Sequence, residues 1–194
     1  MAEKRLRIYL FRHGHTYYNE SKIFTGWKDS KLTLRGIKEA RIISRKLKKI
    51  RVDIAFSSSL GRSKETLREV LKEHPECKKV IVDDRMRERS YGRLEGKSHK
   101  SIIEKYGQEQ FDKWHRGYDV RPPGGESIKD VEKRVVQFVK ELVKLMKKEK
   151  VNVAVSAHGN SMRPFRRYFE KLSVGEMMKL EMPYDRVFVY MVGA

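Results

Sequence analysis

"YLFRHGHTYYNE", residues 9–20, holds an apolar run that stops at a cation, then two histidines on either side of a glycine, then a polar segment. A short apolar stretch that ends in chemistry-bearing side chains is what a buried strand of an α/β sheet delivers at its carboxyl end. The run "RIYLF" (7–11) therefore reads as a first strand, and four more β-branched runs follow: "VDIAFSS" (52–58), "KVIVDD" (79–84), "VNVAVSA" (151–157) and "RVFVYMV" (186–192). Helical patterns lie between them. In "LRGIKEARIISRKLKKI", Ile37, Ala40, Ile43, Leu47 and Ile50 recur at spacings of three and four, so one face is apolar. In "SIKDVEKRVVQFVKELVKLMKKEK", Ser127 is placed to cap with Asp130 three residues on, and Ile128, Val131, Val135, Phe138, Leu142 and Leu145 form the stripe.

Strands alternating with helices predict an α/β fold of three layers, a mainly parallel sheet with helices on both faces. The length, 194 residues, suits one catalytic domain over 1–194. The segment at about 86–126 breaks the alternation, with "RPPGGES" and a helical patch near "KSIIEKYGQEQFDKWH". It is expected to be an inserted lid over the strand ends.

Charge is high: 45 Lys plus Arg against 26 Asp plus Glu, a formal +19. Two of the lysine clusters, 45–51 and 144–150, fall at the ends of predicted helices, where cations favour the macrodipole. No recognition helix or aromatic-basic interleaving accompanies them, so nucleic acid is not an expected partner. Abundant Lys, Arg and Glu with one Cys matches the surface of heat-adapted proteins. The single Cys77 allows no intrachain disulfide, and no run reaches the roughly 18 apolar residues of a membrane span. The expectation is a cytoplasmic protein without membrane contact, its oligomeric state open.

The strand ends collect the chemistry. The first delivers Arg12 and His13, the second leads through "SSSLGR" to Arg62, and the fourth delivers His158. "GNSMRPFRRYFEKL" then begins a helix whose free N–H groups sit beside His158 and attract an anion. Cations and donors at one sheet edge match a phosphate. His-x-His also occurs as a metal pair, but in barrels of eight strands with further ligands, more strands than this chain offers. A histidine simply satisfied in the core is the plain alternative. A neutral imidazole that attacks phosphorus, with Arg12, Arg62 and His158 neutralising the phosphoryl oxygens, accounts for the whole set without a metal.

The blocks "RHGHTYYNESKIFTGWKDSKLTLRGIKEA", "SSSLGRSKETL", "ERSYGRLEG", "EKYGQEQFDKWHRGYDVRPPGGES" and "AHGNSMRPFRRY", in that order over nearly the whole chain, resemble the histidine phosphatase superfamily. The longer match is to its phosphoglycerate mutase branch, the kind that uses 2,3-bisphosphoglycerate. The resemblance implies a phosphoglycerate mutase-like fold and interconversion of 3-phosphoglycerate and 2-phosphoglycerate in glycolysis and gluconeogenesis. It implies a phosphohistidine on His13, with Arg12, Arg62 and His158 holding the transferred group and Glu88 as proton donor and acceptor. It assigns Asn19, Thr25, Gly26 and Asn160 to phosphate or substrate, and Arg89, Tyr91, His99 and Arg116 to the substrate's far end. It also implies 2,3-bisphosphoglycerate as phosphoryl primer and no metal.

Two positions depart from the mutase pattern: His99 stands where a lysine is usual, and His115 precedes Arg116 where two arginines are usual. "LEGKSHKSI" reads partly like the broad-specificity phosphatases. Hydrolysis of small phosphomonoesters is therefore the alternative function. A non-catalytic basic protein that binds anions or nucleic acid is a second alternative, motivated by charge alone.

Overall fold

The computed structural model describes residues 5–193. In chain order its elements are β1 (Leu6–Arg12), α1 (Tyr17–Glu20), α2 (Leu34–Leu47), β2 (Ile54–Ser57), α3 (Gly61–Leu71), β3 (Lys79–Val82), α4 (His99–Tyr106), α5 (Gln108–Arg116), α6 (Ile128–Glu149), β4 (Val153–Ala157), α7 (Gly159–Glu170), α8 (Val174–Lys179) and β5 (Val187–Val192). The strands form one sheet in the order β3-β2-β4-β1-β5. Four strands are parallel and β5 runs antiparallel against β1. The expected strands are all present, each within its predicted run or one residue beyond it.

Alternate residues of the strands feed two cores, as the strand period of two requires. Ile8, Leu10, Phe56, Val153 and Val155 face α6 and α7, packing on Val131, Val135, Phe138, Met162 and Phe165. Tyr9, Phe11, Ala55 and Ala154 face α2 and α3, packing on Ile43, Leu47, Leu67 and Val70. Each such side chain taken out of water contributes about 1.5–3 kcal/mol before the entropy of ordering is set against it. The starts of α2 and α6 are fixed by side chains: Thr33 Oγ1 accepts from Gly36 N, and Ser127 and Asp130 form the reciprocal capping box read from sequence. Two details differ from the sequence pattern. Met146, rather than Leu145, is fully buried at the end of α6, and Ile37 is only half-buried, because the 3.6-residue turn drifts off a strict three-four spacing.

Segment 86–126 is more regular than its sequence. Its helical patch is two helices, α4 and α5, broken at Gly107, whose φ of +83° continues no helix. The segment has its own small core, in which Phe24 packs with Tyr91, Leu94, Ile102 and Phe111. Among the described residues no helix is long and apolar enough to cross a membrane.

Candidate active site

The register of β1 on β4 pairs Arg12 with Ala157, and His13 N donates to Ala157 O at 2.9 Å. The residues that follow, His13 and His158, are therefore side by side, with ring centroids 5.0 Å apart. β2 lies on the other side of β4, so its exit brings Ser58, and then α3 brings Arg62, to the same edge. Gly14 is required here: a Cβ would run into the Gly36 carbonyl, where α2 packs against the end of β1.

His13 Nδ1 lies 2.7 Å from Gly14 O. A carbonyl can only accept, so Nδ1 carries the proton and Nε2 keeps its lone pair. Burial, then the charges of Arg62 and Arg12, push the His13 imidazole well below its ordinary range, and burial with Arg62 does the same to His158. Both rings are neutral near pH 7. His158 Nε2 is 2.7 Å from Ser58 Oγ, while its Nδ1 is buried with no partner.

Arg62 is 2% exposed and anchored by Gly26 O at 2.7 Å, Lys28 O at 2.9 Å and Asp29 at 3.2 Å, which leaves its Nε buried and unpartnered. Arg12 stacks on the Tyr184 ring at 3.9 Å and donates to Met182 O, and its Nε is likewise orphaned. Buried donors without partners are costly unless a ligand completes them. Arg12 Nε and Arg62 Nε are two such donors, and both residues line one cavity.

Glu88 is 8% exposed, and its Oε1 accepts from Arg89 N at 2.7 Å and Asn160 N at 3.2 Å, the latter in the first turn of α7. His13, Glu88 and His158 bring ligand-type atoms within 4.8 Å of one another. Two guanidiniums beside that trio favour an anion over a divalent cation. His15 belongs to no such group: its ring packs edge-on against Tyr184 at 5.3 Å. Tyr184 stands near both rings of the His-x-His pair, its centroid 6.3 Å from His13 and 5.3 Å from His15, and only His13 joins the trio.

These groups line a cavity of about 710 Å³. Of the residues expected at the site, Arg12, His13, Asn19, Thr25, Gly26, Arg62, Glu88, Tyr91, His99, Arg116 and Asn160 are on its wall, and His158 lies just behind. Asn19 Oδ1 accepts from Thr16 in the cap of α1, which commits its oxygen and leaves its amide N–H groups. Gly26 has a φ of +53° and lies against the Glu95 carboxylate, so no side chain fits. Asn160 Nδ2 reaches Tyr91 Oη at 3.3 Å.

Arg89 is the exception. It is fully buried and absent from the wall, its guanidinium donating to the carbonyls of Glu126 at 2.6 Å, Val120 at 3.0 Å and His115 at 3.3 Å. It ties segment 86–126 to the base of α6 and does not line the cavity.

His99 stacks with Phe24 at 4.5 Å and His115 at 5.0 Å. Burial and neighbouring cations lower both, His115 to about 4. Neither is a cation at pH 7. Positive charge elsewhere on the wall comes from Lys22, Arg163 and Lys179, which sequence reading missed along with Ser58 and Tyr184. Arg163 was within reach, since it stands three residues after Asn160 on the same helix face. Lys22 and Tyr184 arrive on turns and Lys179 as the last residue of the short helix α8, and none carries a periodic signal.

The model of the histidine phosphatase superfamily (branch 1) matches residues 8–192. The chain belongs to that superfamily. The 2,3-bisphosphoglycerate-dependent phosphoglycerate mutase of Chlamydia caviae is similar to it at 36% identity, covering 95% of this chain and 92% of that protein. Among solved structures, YhfR of Bacillus stearothermophilus aligns with a TM-score of 0.83 and 26% identity over 95% of this chain and 90% of that one. The mycobacterial glucosyl-3-phosphoglycerate phosphatase Rv2419c aligns with a TM-score of 0.79 and 27% identity over 92% and 85%. This histidine phosphatase superfamily enzyme is thus similar in sequence to a named mutase, and its fold is shared by a named phosphatase and, at a TM-score of 0.81, by a phosphoglycerate mutase of Bacillus anthracis.

Proposed function

We propose that the enzyme interconverts 3-phosphoglycerate and 2-phosphoglycerate in the cytoplasm through a phosphohistidine on His13. The observation that carries the reading is the lone pair on His13 Nε2 beside two orphaned guanidinium donors, Arg12 Nε and Arg62 Nε, and the unpartnered Nδ1 of His158. The neutral imidazole attacks phosphorus, and the two guanidiniums and His158 Nδ1–H hold the equatorial oxygens where charge spreads. Glu88 takes the proton from the acceptor hydroxyl as the phosphoryl group leaves His13, and returns it to the departing oxygen when the other phosphoryl group moves back. Protein cations supply the charge neutralisation, so the reading needs no metal ion.

When bound, 2,3-bisphosphoglycerate supplies the phosphoryl group that charges His13. The wall fits its two anionic ends: Arg12 and Arg62 at one, Lys22, Arg116, Arg163 and Lys179 around the rest. Segment 86–126 serves as the lid that keeps water from the phosphoenzyme, through Phe24 and the aromatic cluster packed on it. The curated relative's name agrees with this reading.

Hydrolysis of phosphomonoesters is the second reading, favoured by His99 and His115, both uncharged at neutral pH. Comparing 2-phosphoglycerate formed with phosphate released from 3-phosphoglycerate, with and without added 2,3-bisphosphoglycerate, tests the two. Release of phosphate with no 2-phosphoglycerate under either condition makes the enzyme a phosphatase.

A further inference from the structure

Glu88 lies on residues 87–90, a segment with no helix or strand. Its backbone carbonyls have no ladder neighbour and need partners from elsewhere. They converge on one side chain of α6. Arg134 Nη1 donates to Arg85 O at 2.7 Å and Arg87 O at 2.8 Å, and Nη2 to Glu88 O at 3.1 Å. Its Nε and remaining Nη2 hydrogen grip Glu126 at 2.9 and 3.0 Å. All five guanidinium donors are spent, and Arg134 is not on the cavity wall.

Glu126 in turn holds the far side of the segment: its Oε2 accepts from Ser90 N at 2.9 Å, and its N donates to Ser90 O at 2.9 Å. A second donor reaches the Glu88 carbonyl. Trp27 Nε1 donates to the same Glu88 carbonyl at 2.8 Å, with Arg87 stacked on the indole at 3.5 Å. The backbone of Glu88 is therefore fixed by two side chains, Arg134 and Trp27, neither of which is on the cavity wall.

We propose that Arg134 is a positioning residue: by collecting the carbonyls of residues 85, 87 and 88 on one guanidinium, it sets where the Glu88 carboxylate meets the reacting oxygen. The inference rests on Glu88 as the acid–base group of the proposed reaction. A lysine cannot replace it, because an ammonium is a point donor where a planar fork is needed. Its charge also helps to lower the His158 imidazole, and that contribution survives a change to lysine. Geometry and charge are thus separable.

The test is a leaving-group comparison. Protonation by Glu88 matters for an alkyl phosphate such as 3-phosphoglycerate and little for p-nitrophenyl phosphate, whose phenolate leaves unaided. Displacement of a catalytic group by about 1 Å costs about 100-fold. Arg134→Lys is expected to lower kcat/KM for 3-phosphoglycerate hydrolysis, which reports the steps up to departure of the leaving group, by about that factor, with kcat/KM for p-nitrophenyl phosphate within about 3-fold of the parent. Arg134→Met should match it. Trp27→Phe, at a site 40% exposed, should show the same selectivity to a smaller degree, and it keeps the test decisive should the arginine variants fail to fold. Equal losses on both substrates, or no loss, would overturn the proposal. Glu88→Gln runs alongside. If it shows the selectivity and the Arg134 and Trp27 variants do not, positioning alone fails; if it too lacks selectivity, the acid–base reading of Glu88 fails and the proposal with it.

Discussion

His13 Nδ1 stands 2.7 Å from the carbonyl oxygen of its own neighbour Gly14, and that contact chooses the tautomer. Only Nε2 is left with a lone pair, so phosphorylation is expected there and not on Nδ1. Brief incubation with 2,3-bisphosphoglycerate should leave an acid-labile phosphoryl group on His13 Nε2, visible by mass spectrometry and phosphorus NMR. His13→Ala should lose the label and at least about 1,000-fold of activity while the fold persists. Label on any other residue would refute the assignment.

The buried imidazoles also set a pH dependence. His13, His158 and His115 all have folded-state values below the ordinary 6.5, His115 at about 4. Below pH 6.5 the unfolded chain therefore binds protons that the folded chain refuses, and stability falls as pH falls. The loss begins near pH 6.5 and, for His115, is complete near pH 4. Urea midpoints measured from pH 7.5 to 5 should decrease steadily. His115→Phe should flatten the slope, because phenylalanine keeps the stack with Phe24 and Phe111 and cannot titrate. The acid limb of kcat/KM should lie well below pH 6.5, since His13 loses its lone pair only on protonation.

The sequence shows the sheet because its strands are short, β-branched and followed by the same kind of residue. Arg12-His13 and His158 both follow an apolar run, and the capping box at Ser127 and Asp130 marks the start of α6 without any tertiary information. The antiparallel course of β5 was not legible, because strand direction depends on the connection through α8 and not on composition. Arg89 misled for a related reason. Its position beside Glu88 is legible, but whether a guanidinium meets a cavity or three backbone carbonyls depends on where the chain of residues 115–126 passes. Ser58, Tyr184 and Lys22 join the site only through tertiary folding.

Arg12 and Arg62 crowd the place where His13, Glu88 and His158 offer ligand atoms, and a divalent cation would meet two positive charges there. Activity should be unchanged after dialysis against EDTA and unaffected by its presence in the assay. Inhibition that added metal reverses would restore the reading of the trio as a metal centre.

The balance between mutase and phosphatase turns on the far half of the cavity. A mutase must keep a doubly phosphorylated species bound while it reorients, and so needs cations beyond the two that hold the transferred group. His99 and His115 do not supply them, since burial keeps both neutral. Lys22 and Arg116 can. Lys22 adopts a left-handed backbone conformation at φ +51°, and its carbonyl accepts from His99 N at 2.9 Å, which fixes it at the cavity rim. Each cation facing an anion in a partly screened site is worth about 1–2 kcal/mol, or about 10-fold in retention. Lys22→Ala and Arg116→Ala should each raise phosphate release relative to 2-phosphoglycerate formation by about that factor. At saturating 2,3-bisphosphoglycerate the rate at which His13 is phosphorylated should change little, because neither residue is placed at the transferred group. Restoring charge with His99→Lys should shift the ratio the other way. If none of the three changes moves the ratio while phosphoenzyme formation stays constant, partition is governed by water access at the lid, and the far cations have another role.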